Sequence, residues 1–241
     1  IFTLIRTFIV SSREDIRDGA DFEHSLRGLI YSDVLGWIDM GHARGDDVEE
    51  LMRQFIMGER SGQDYYVVMY RQDMNIVKFG SRLGLGRFAR WEIKRGRNIH
   101  DIYRIMLAMM MSTAQSFENL QSLKLFTWYT DSGFSGEDLV SDLFGFYRAI
   151  RPGFYADQVK PVSYESALRR WEYYGAIGSF KNRGFKPIIF PDPKDPCVKH
   201  EPYLAELPMF MKWLYPWDDF TSGTVNVLTN NGTAFGYTGM K

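Results

Sequence analysis

The segment that follows Asp46 places apolar residues at the spacing of a helix. Asp46 followed by Glu49 resembles a capping box, so a helix is predicted to begin at Asp46 or Asp47. Gly58 is predicted to end this helix, because glycine is common just past a helix terminus. The apolar stripe that should face a core consists of Val48, Leu51, Met52, Phe55 and Ile56.

Two strand-like runs and a long helix come next. The runs 65–70 and 75–79 are separated by the polar residues R-Q-D-M, which predicts a β-hairpin with Asp73 in its turn. Glycines at 80, 84 and 86 are expected to close the hairpin. From Ile99 to about Leu120 apolar residues cover nearly the whole circumference of a helix, which predicts a long buried helix.

Shorter elements are predicted on either side of this central part. Helices are expected at 136–149 and 163–174, the second with Ser163 as N-cap and Gly175 as C-cap. Residues 1–9 have helical apolar spacing and predict a core-facing helix rather than a signal peptide. Most of the nine prolines lie in 187–216, which predicts an ordered surface segment without regular helix or central strand.

These patterns predict an α+β fold that is mainly helical, with a small β-hairpin lobe and a long buried central helix. The 241 residues contain 45% hydrophobic and 24% charged residues, an ordinary globular composition. No repeat or linker divides the chain, so one domain is expected over 1–241. Because the first residue is Ile, we expect the chain to be the C-terminal part of a longer protein.

Charge and cysteine content exclude several classes of function. A net charge of -1 argues against nucleic-acid binding and gives no broad attraction to anionic membranes. No apolar stretch approaches the roughly 18 residues of a membrane span, so membrane insertion is not expected. Cys197 is the single cysteine, so no internal disulfide can form. His24, His42 and His100 lack any metal-binding spacing, and neither a metal nor a cofactor is expected.

The order of elements over residues 46 to 120 resembles that of phage-type lysozymes. In that family a short helix ends in a catalytic Glu, a hairpin carrying an Asp follows, and a long buried helix joins two lobes. Here Glu59 follows the predicted helix and Asp73 lies in the predicted turn. The family's Thr a few residues after the Asp is missing, and Lys78 or Ser81 stands in its place. The resemblance implies a lysozyme-like fold and a glycoside hydrolase, a muramidase that cleaves peptidoglycan glycan strands.

The candidate acids can also be ranked from the residues alone. The helical step directs Glu59 toward the interior, where partial burial would help a general acid to keep its proton. A structural carboxylate paired with Arg60 is the alternative. For the second catalytic group Asp73 is preferred over Glu50, which projects from the polar side of the same helix. Asp64, at the entrance to the first strand, is a competing carboxylate and a candidate for substrate binding.

A second constellation lies in the segment G-W-I-D-M-G-H-A-R-G-D-D, residues 36–47. Loops that carry His and Asp between glycines are often functional, although a plain turn into a capped helix has the same composition. His42 is therefore a candidate for substrate binding. It is also the centre of an alternative hypothesis, an amidase or other hydrolase that uses His42 with Asp39 or Glu59.

The remaining candidates concern substrate contact. Arg87 and Trp91 belong to a basic segment with interleaved aromatic residues, suited to an anionic polymer such as peptidoglycan with its peptide carboxylates. Ser81 is a candidate for positioning water. The segment S-G-F-S-G-E-D-L-V-S-D at 132–142 fails the pattern of a nucleophile elbow and predicts a helix cap instead.

The chain also resembles the C-terminal lysozyme domain of type VI secretion effectors of the TseP kind, through Glu50 and the motif G-E-R-S-G that contains Glu59. This resemblance implies an antibacterial toxin that an upstream domain and a secretion apparatus deliver to the periplasm of target bacteria. Peptidoglycan would be its substrate and an immunity protein its partner. A further alternative is a non-catalytic interaction domain that works through its Pro- and Trp-rich end.

Overall fold

The computed structural model describes residues 11–78, 81–121, 137–180 and 184–238, with the backbone alone at 73–78, 81–85, 115–121 and 234–238. The protein is α+β, as predicted. Its helices are α1 (Asp46–Arg60), α2 (Ile99–Gln121), α3 (Asp138–Ile150), α4 (Ala156–Val159) and α5 (Tyr164–Tyr174). Its strands are β1 (Leu29–Ser32), β2 (Gly36–Asp39), β3 (Tyr65–Lys78), β4 (Ser81–Lys94), β5 (Ile188–Ile189), β6 (Tyr203–Leu204) and β7 (Val225–Thr238).

The chain divides into two compact units. The described residues of unit 1 come from 47–121 and 214–238, and those of unit 2 come from 11–46 and 137–213. Unit 1 contains a three-stranded antiparallel sheet in the order β3-β4-β7. Unit 2 contains a four-stranded sheet in the order β1-β2-β5-β6. Each unit thus has a sheet of its own.

The hairpin of unit 1 corrects the predicted position of Asp73. Residues 65–78 form one continuous strand, and Asp73 pairs with Gly86 in its middle rather than lying in a turn. The polar residues R-Q-D-M satisfy their backbone groups in a long ladder, and this outweighs their local turn preference. The hairpin is also longer than predicted, and β7 joins it as a third strand.

The two long helices of unit 1 agree with the sequence pattern except at one residue. Helix α2 is buried over most of 102–114 and contacts all three strands. Helix α1 begins at Asp46 but continues to Arg60, so Gly58 does not end it. The Gln54 side chain of α1 lies along the edge strand β3: its Nε2 donates to the carbonyl of Met69 at 3.0 Å, and its Oε1 accepts from the Met69 amide at 2.8 Å.

Unit 2 is built around aromatic residues. Trp37 of β2 meets Trp171 of α5 edge to face at 5.7 Å, and Tyr31 of β1 meets Trp37 at 5.2 Å. Helix α5 has the predicted caps: the Ser163 side chain accepts from Ser166, and Gly175 follows the last turn with φ of 86°. These contacts fix β1 and β2 against α5.

The remaining predictions have mixed outcomes. Helix α3 begins at Asp138, close to the predicted start. The proline-rich segment contains the two-residue strands β5 and β6. Because β5 pairs with β2 on one side and with β6 on the other, the prediction that this segment has no central strand is wrong at Ile188 and Ile189, which are not prolines. The helix predicted at 1–9 and residues 132–136 of the segment 132–142 lie outside the described residues. Within the described ranges, no helix is long and apolar enough to cross a membrane.

Candidate active site

Glu59, the predicted general acid, lies in the last turn of α1 and is partly buried. The helix approaches β3 closely because Gly58 has no side chain: a Cβ atom there would lie 2.1 Å from the Tyr66 ring. The same approach brings Glu59 next to the beginning of β3 and to the loop between β4 and α2. Its position is therefore set by the packing of α1 on the sheet.

Three donors of the chain itself bind the Glu59 carboxylate. The Tyr66 hydroxyl and the Arg97 amide donate to Oε1 at 2.9 and 3.2 Å, and the Gly96 amide donates to Oε2 at 2.8 Å. Burial, followed by the hydrogen bond to Glu59, raises the pKa of Tyr66, which keeps this hydroxyl a donor. Both oxygens therefore have partners within the protein, whereas a general acid has to direct its proton to a substrate. The geometry is that of an anchor between α1 and the loop at 95–98.

The candidates for a second acid are Glu50, Asp64 and Asp73. None of the described hydrogen bonds links any of them to Glu59. Glu50 is half exposed on α1 and forms an ion pair with Arg53, which matches a solvated helix face. Asp64 is exposed before β3, and its carbonyl accepts from the Arg95 amide at 2.8 Å. The side chain of Asp73 lies outside the described residues.

The candidates for substrate contact in unit 1 have structural roles or cannot be placed. Trp91 is buried in the core and donates to Asn230 Oδ1 at 3.2 Å, so its ring offers no exposed face for a sugar. Arg87 is buried too, and its Nη1 donates to the carbonyl of Asn231 and the hydroxyl of Thr233 on β7 at 2.6 and 2.8 Å. Ser81 begins β4 opposite Lys78, and its side chain lies outside the described residues.

His42 of unit 2 lies in a tight loop after β2. Asp39, the last residue of β2, accepts from the amides of Gly41 and His42 at 2.7 and 3.4 Å through Oδ1. A single 3-10 turn follows at His42–Arg44, and Gly45 ends it with φ of 76°. The loop is thus built by Asp39 and the two glycines that surround His42.

Helix α3 packs directly against this loop through a pair of glycines. A Cβ atom at Gly145 would lie 2.6 Å from the carbonyl oxygen of His42, and one at Gly45 would lie 2.4 Å from that of Gly145. Only glycine at both positions permits this backbone approach. The consequence is that side chains from the first turns of α3 surround the imidazole.

The imidazole of His42 lies between two carboxylates of α3. Nδ1 is 2.9 Å from Asp142 Oδ1, and Nε2 is 4.0 Å from Asp138 Oδ1. The His42 side chain is 44% exposed, whereas that of Asp142 is 6% exposed. Desolvation lowers the pKa of His42, but the charge and hydrogen bond of Asp142, with the charges of Asp138 and Asp39, raise it well above its usual value. His42 is therefore an imidazole that is held by one carboxylate, whose protonated form the surrounding carboxylates favour, and whose side chain still reaches solvent.

Buried polar contacts hold the beginning of α3 in place around this pair. The Ser141 hydroxyl accepts from the Asp39 amide at 2.9 Å. The buried Glu137 carboxylate accepts from the Ser11 hydroxyl at 2.8 Å through Oε1. Both hydrogen bonds join the beginning of α3 to residues of unit 2 that are more than 100 positions away along the chain. They hold the beginning of α3 beside the His42 loop.

Asp138 and Asp142 were missed by the sequence analysis, which took the segment at 132–142 for a helix cap. Their spacing of four residues puts them on one face of a helix, and that spacing was the available signal. The local sequence pattern could not predict that this face of the helix would contact His42, because the two segments are far apart along the chain. Asp39, by contrast, was placed with His42 in the alternative hypothesis.

The His42 cluster has no metal-binding geometry: within the described ranges, no group of three or more His, Cys, Asp or Glu side chains could hold a metal ion. No protein-family model, no curated protein and no solved structure matches this chain.

Proposed function

We propose that the protein is a hydrolase whose proton-transfer group is His42, with amide bonds of bacterial peptidoglycan as its substrate. The observation that carries the proposal is the convergence of two separate segments on one imidazole. Asp142 contacts Nδ1, and Nε2 lies 4.0 Å from Asp138 Oδ1. The His42 side chain as a whole remains partly exposed. A His whose orientation is fixed by a carboxylate on one nitrogen is suited to acid-base catalysis on the other.

The raised pKa of His42 assigns its direction of proton transfer. Because the protonated form is favoured, the proposal gives His42 the role of proton donor rather than acceptor. In the proposed step a water oxygen attacks the amide carbon and its proton passes to Asp138. The C–N bond then breaks as the Nε2 proton of His42 moves to the leaving nitrogen. Asp142 keeps the ring oriented and stabilises its positive charge.

The choice of substrate rests on the resemblance to peptidoglycan-cutting effectors and not on the imidazole. Peptidoglycan contains amide bonds in its stem peptides and at their junction with the glycan. An enzyme of this kind would act in the periplasm of target bacteria after delivery by a type VI apparatus. An immunity protein that covers the His42 loop would be the expected partner.

A muramidase that uses Glu59 is the second candidate. The observation in its favour is the order of elements in unit 1, where α1 ends just after Glu59, the hairpin β3-β4 follows and the long helix α2 comes next. That order is the one on which the resemblance to phage-type lysozymes rests. In this candidate Asp73 or Glu50 supplies the second carboxylate.

Digestion of purified peptidoglycan, with the new ends identified by mass spectrometry, separates the candidates. New amine and carboxyl ends that disappear in His42→Gln support the amidase. New reducing sugar ends that disappear in Glu59→Gln support the muramidase and contradict the first proposal. The matched control is His24→Gln, which changes an exposed histidine of the same unit. Intact peptidoglycan with a folded protein contradicts both and favours the interaction domain.

A further inference from the structure

Unit 2 contains an open groove of about 950 Å³ that the proposed mechanism does not use. One wall comes from Tyr31 of β1 and from Asp33 just after it, and another comes from Ser166 and Arg170 of α5. Val162 and the segment 189–203 provide the rest of the lining, including Tyr203 of β6 at the edge of the sheet. The groove is therefore framed by the sheet, one helix and the proline-rich segment.

The charged groups on the floor of the groove, Arg170 and Asp192, have partners within the protein. The Arg170 guanidinium lies 4.5 Å from the centre of the Tyr31 ring and is almost fully buried. It donates to the carbonyls of Phe190 and Ser166 at 2.8 and 3.1 Å. A hydrogen bond from Arg169 lowers the pKa of Asp192 to about 2, so this carboxylate stays charged. Arg170 and Asp192 thus build the floor and are not available to a ligand.

The rim of the groove presents charges of both signs to solvent. Lys194 is exposed and has no ion pair among the described residues. Asp33 is 54% exposed, and its contact with Arg170 Nη2 is long, at 3.4 Å. Lys199 and Glu201 neutralise each other at 2.7 Å. Asp195 is exposed on the rim as well, and its Oδ1 accepts from the Cys197 amide at 2.9 Å. The charges that remain for a ligand are therefore one ammonium, on Lys194, and two carboxylates, on Asp33 and Asp195.

We propose that this groove binds a short peptide that carries both an ammonium and a carboxylate group. The ligand ammonium would pair with Asp33 and its carboxylate with Lys194. A neutral glycan is disfavoured because sugars stack on exposed aromatic rings, and of the three aromatic lining residues Tyr31 and Phe190 are buried, which leaves Tyr203. The charge pattern therefore selects a peptide.

This inference rests on the proposed function, because it names the part of peptidoglycan that the protein would hold. Stem peptides of peptidoglycan carry free carboxylates and, where they contain a diamino acid, a free ammonium. Asp33 lies three residues before β2 and Asp39 is the last residue of β2, so their Cα atoms are at most about 22 Å apart. One wall of the groove and the His42 loop are thus joined by a single short strand of unit 2.

Calorimetric titration of His42→Gln protein with L-Ala–γ-D-Glu–meso-diaminopimelate tests the groove without turnover. We expect this tripeptide to bind, and we expect Lys194→Ala and Asp33→Asn each to weaken it at least about threefold, the size of one exposed charge pair. Lys212→Ala and Asp157→Asn are the matched controls, because both change exposed residues of unit 2 outside the groove. The N-acetylated, amidated tripeptide should bind more weakly than the charged one.

Several outcomes would overturn the inference. These are equal binding of the uncharged peptide, tighter binding of chitotetraose, or no effect of either groove substitution. The two proposals also fail separately. Absence of peptide binding, while the unsubstituted protein still releases amide products, refutes the groove alone. Peptide binding together with full activity of His42→Gln refutes the catalytic assignment alone.

Discussion

The Glu59 region of unit 1 and the His42 region of unit 2 use the same packing device with opposite results. In each, a helix glycine permits close contact, Gly58 with the ring of Tyr66 and Gly145 with the carbonyl of His42. At Glu59 the chain's own donors occupy both carboxylate oxygens. At His42 one ring nitrogen is held and the side chain stays 44% exposed. A side chain whose polar atoms all have partners in the protein, such as Glu59, serves as an anchor. A side chain with one partner and solvent access, such as His42, can still react with a ligand.

The largest expected effect comes from removing the imidazole. His42→Gln should lower the rate of peptidoglycan amide hydrolysis at least about 100-fold, because general acid catalysis typically contributes that much. Rates measured on purified peptidoglycan, with circular dichroism to confirm the fold, check this prediction. A full rate in the folded variant, with the loss appearing in Glu59→Gln instead, would reverse the comparison in favour of unit 1.

Substitution of Gly145 or Gly58 by Ala should lower the stability of the protein by similar amounts, and the substitution of Gly145 should also change the surroundings of the His42 imidazole. Gly145→Ala and Gly58→Ala should each lower the free energy of unfolding by about 2 kcal/mol, because the added methyl groups overlap the carbonyl of His42 and the Tyr66 ring. Gly153→Ala is the control, since a Cβ atom there meets nothing within 4 Å. Urea unfolding gives the stabilities. Gly145→Ala should also shift the imidazole resonances of His42, because Gly145 contacts the carbonyl of His42 directly. An equal shift in Gly58→Ala would contradict this assignment of the shift to the contact at Gly145.

Asp142→Asn tests whether the carboxylate beside His42 sets the pKa of its imidazole. It should lower the pKa of His42, because the charge and hydrogen bond of Asp142 are the largest causes that raise it. The pKa of His42 is raised by folding, so its stabilising effect is fully present below the ordinary value near 6.5 and is lost as pH rises through the raised value.

NMR titration of the imidazole and urea unfolding at several pH values measure both effects. In the unsubstituted protein the free energy of unfolding should fall as pH rises above about 6.5, and this slope should flatten in Asp142→Asn. Asp157→Asn serves as the control. An unchanged His42 titration in Asp142→Asn would show that the carboxylate does not set the charge of the ring.

Tyr66→Phe should have the smallest effect. It removes one of three hydrogen bonds to Glu59 and should cost about 1 kcal/mol of unfolding free energy. Urea unfolding compares it with Tyr173→Phe, which changes an exposed tyrosine of unit 2. Peptidoglycan hydrolysis should not change. A loss of hydrolysis at unchanged stability would mean that the Glu59 region takes part in chemistry after all.

Elements with strong local signals could be predicted from the sequence. The start of α1 at Asp46, the start of α2 at Ile99 and the caps of α5 at Ser163 and Gly175 all agree with the structure. For α1 and α5 a capping residue stands beside a periodic apolar segment, and for α2 the apolar segment itself is long, so the local and the tertiary preferences coincide. The starts of these three helices could therefore be predicted, whereas the short helix α4 was not.

Elements decided by distant partners could not be predicted. The turn expected at Asp73 is strand, because β4 pairs with residues on both sides of it. Gly58 looks like a helix terminus, yet it serves contact with Tyr66. For the site, His42 and Asp39 were recognised from one loop, but Asp142 lies 100 residues away from His42 along the chain. Only folding brings that carboxylate to the ring.

The contact between Gln54 and Met69 has a consequence for how the protein behaves at high concentration. Strand β3 is an outer strand of 14 residues, and Val67 and Met69 beside this contact are 43% and 40% exposed. A long outer strand with apolar side chains is a template on which a second chain can add and begin to aggregate. The amide of Gln54 already occupies the donor and acceptor of Met69, as an incoming strand would. One side chain thus interrupts the template and helps the protein to remain in solution.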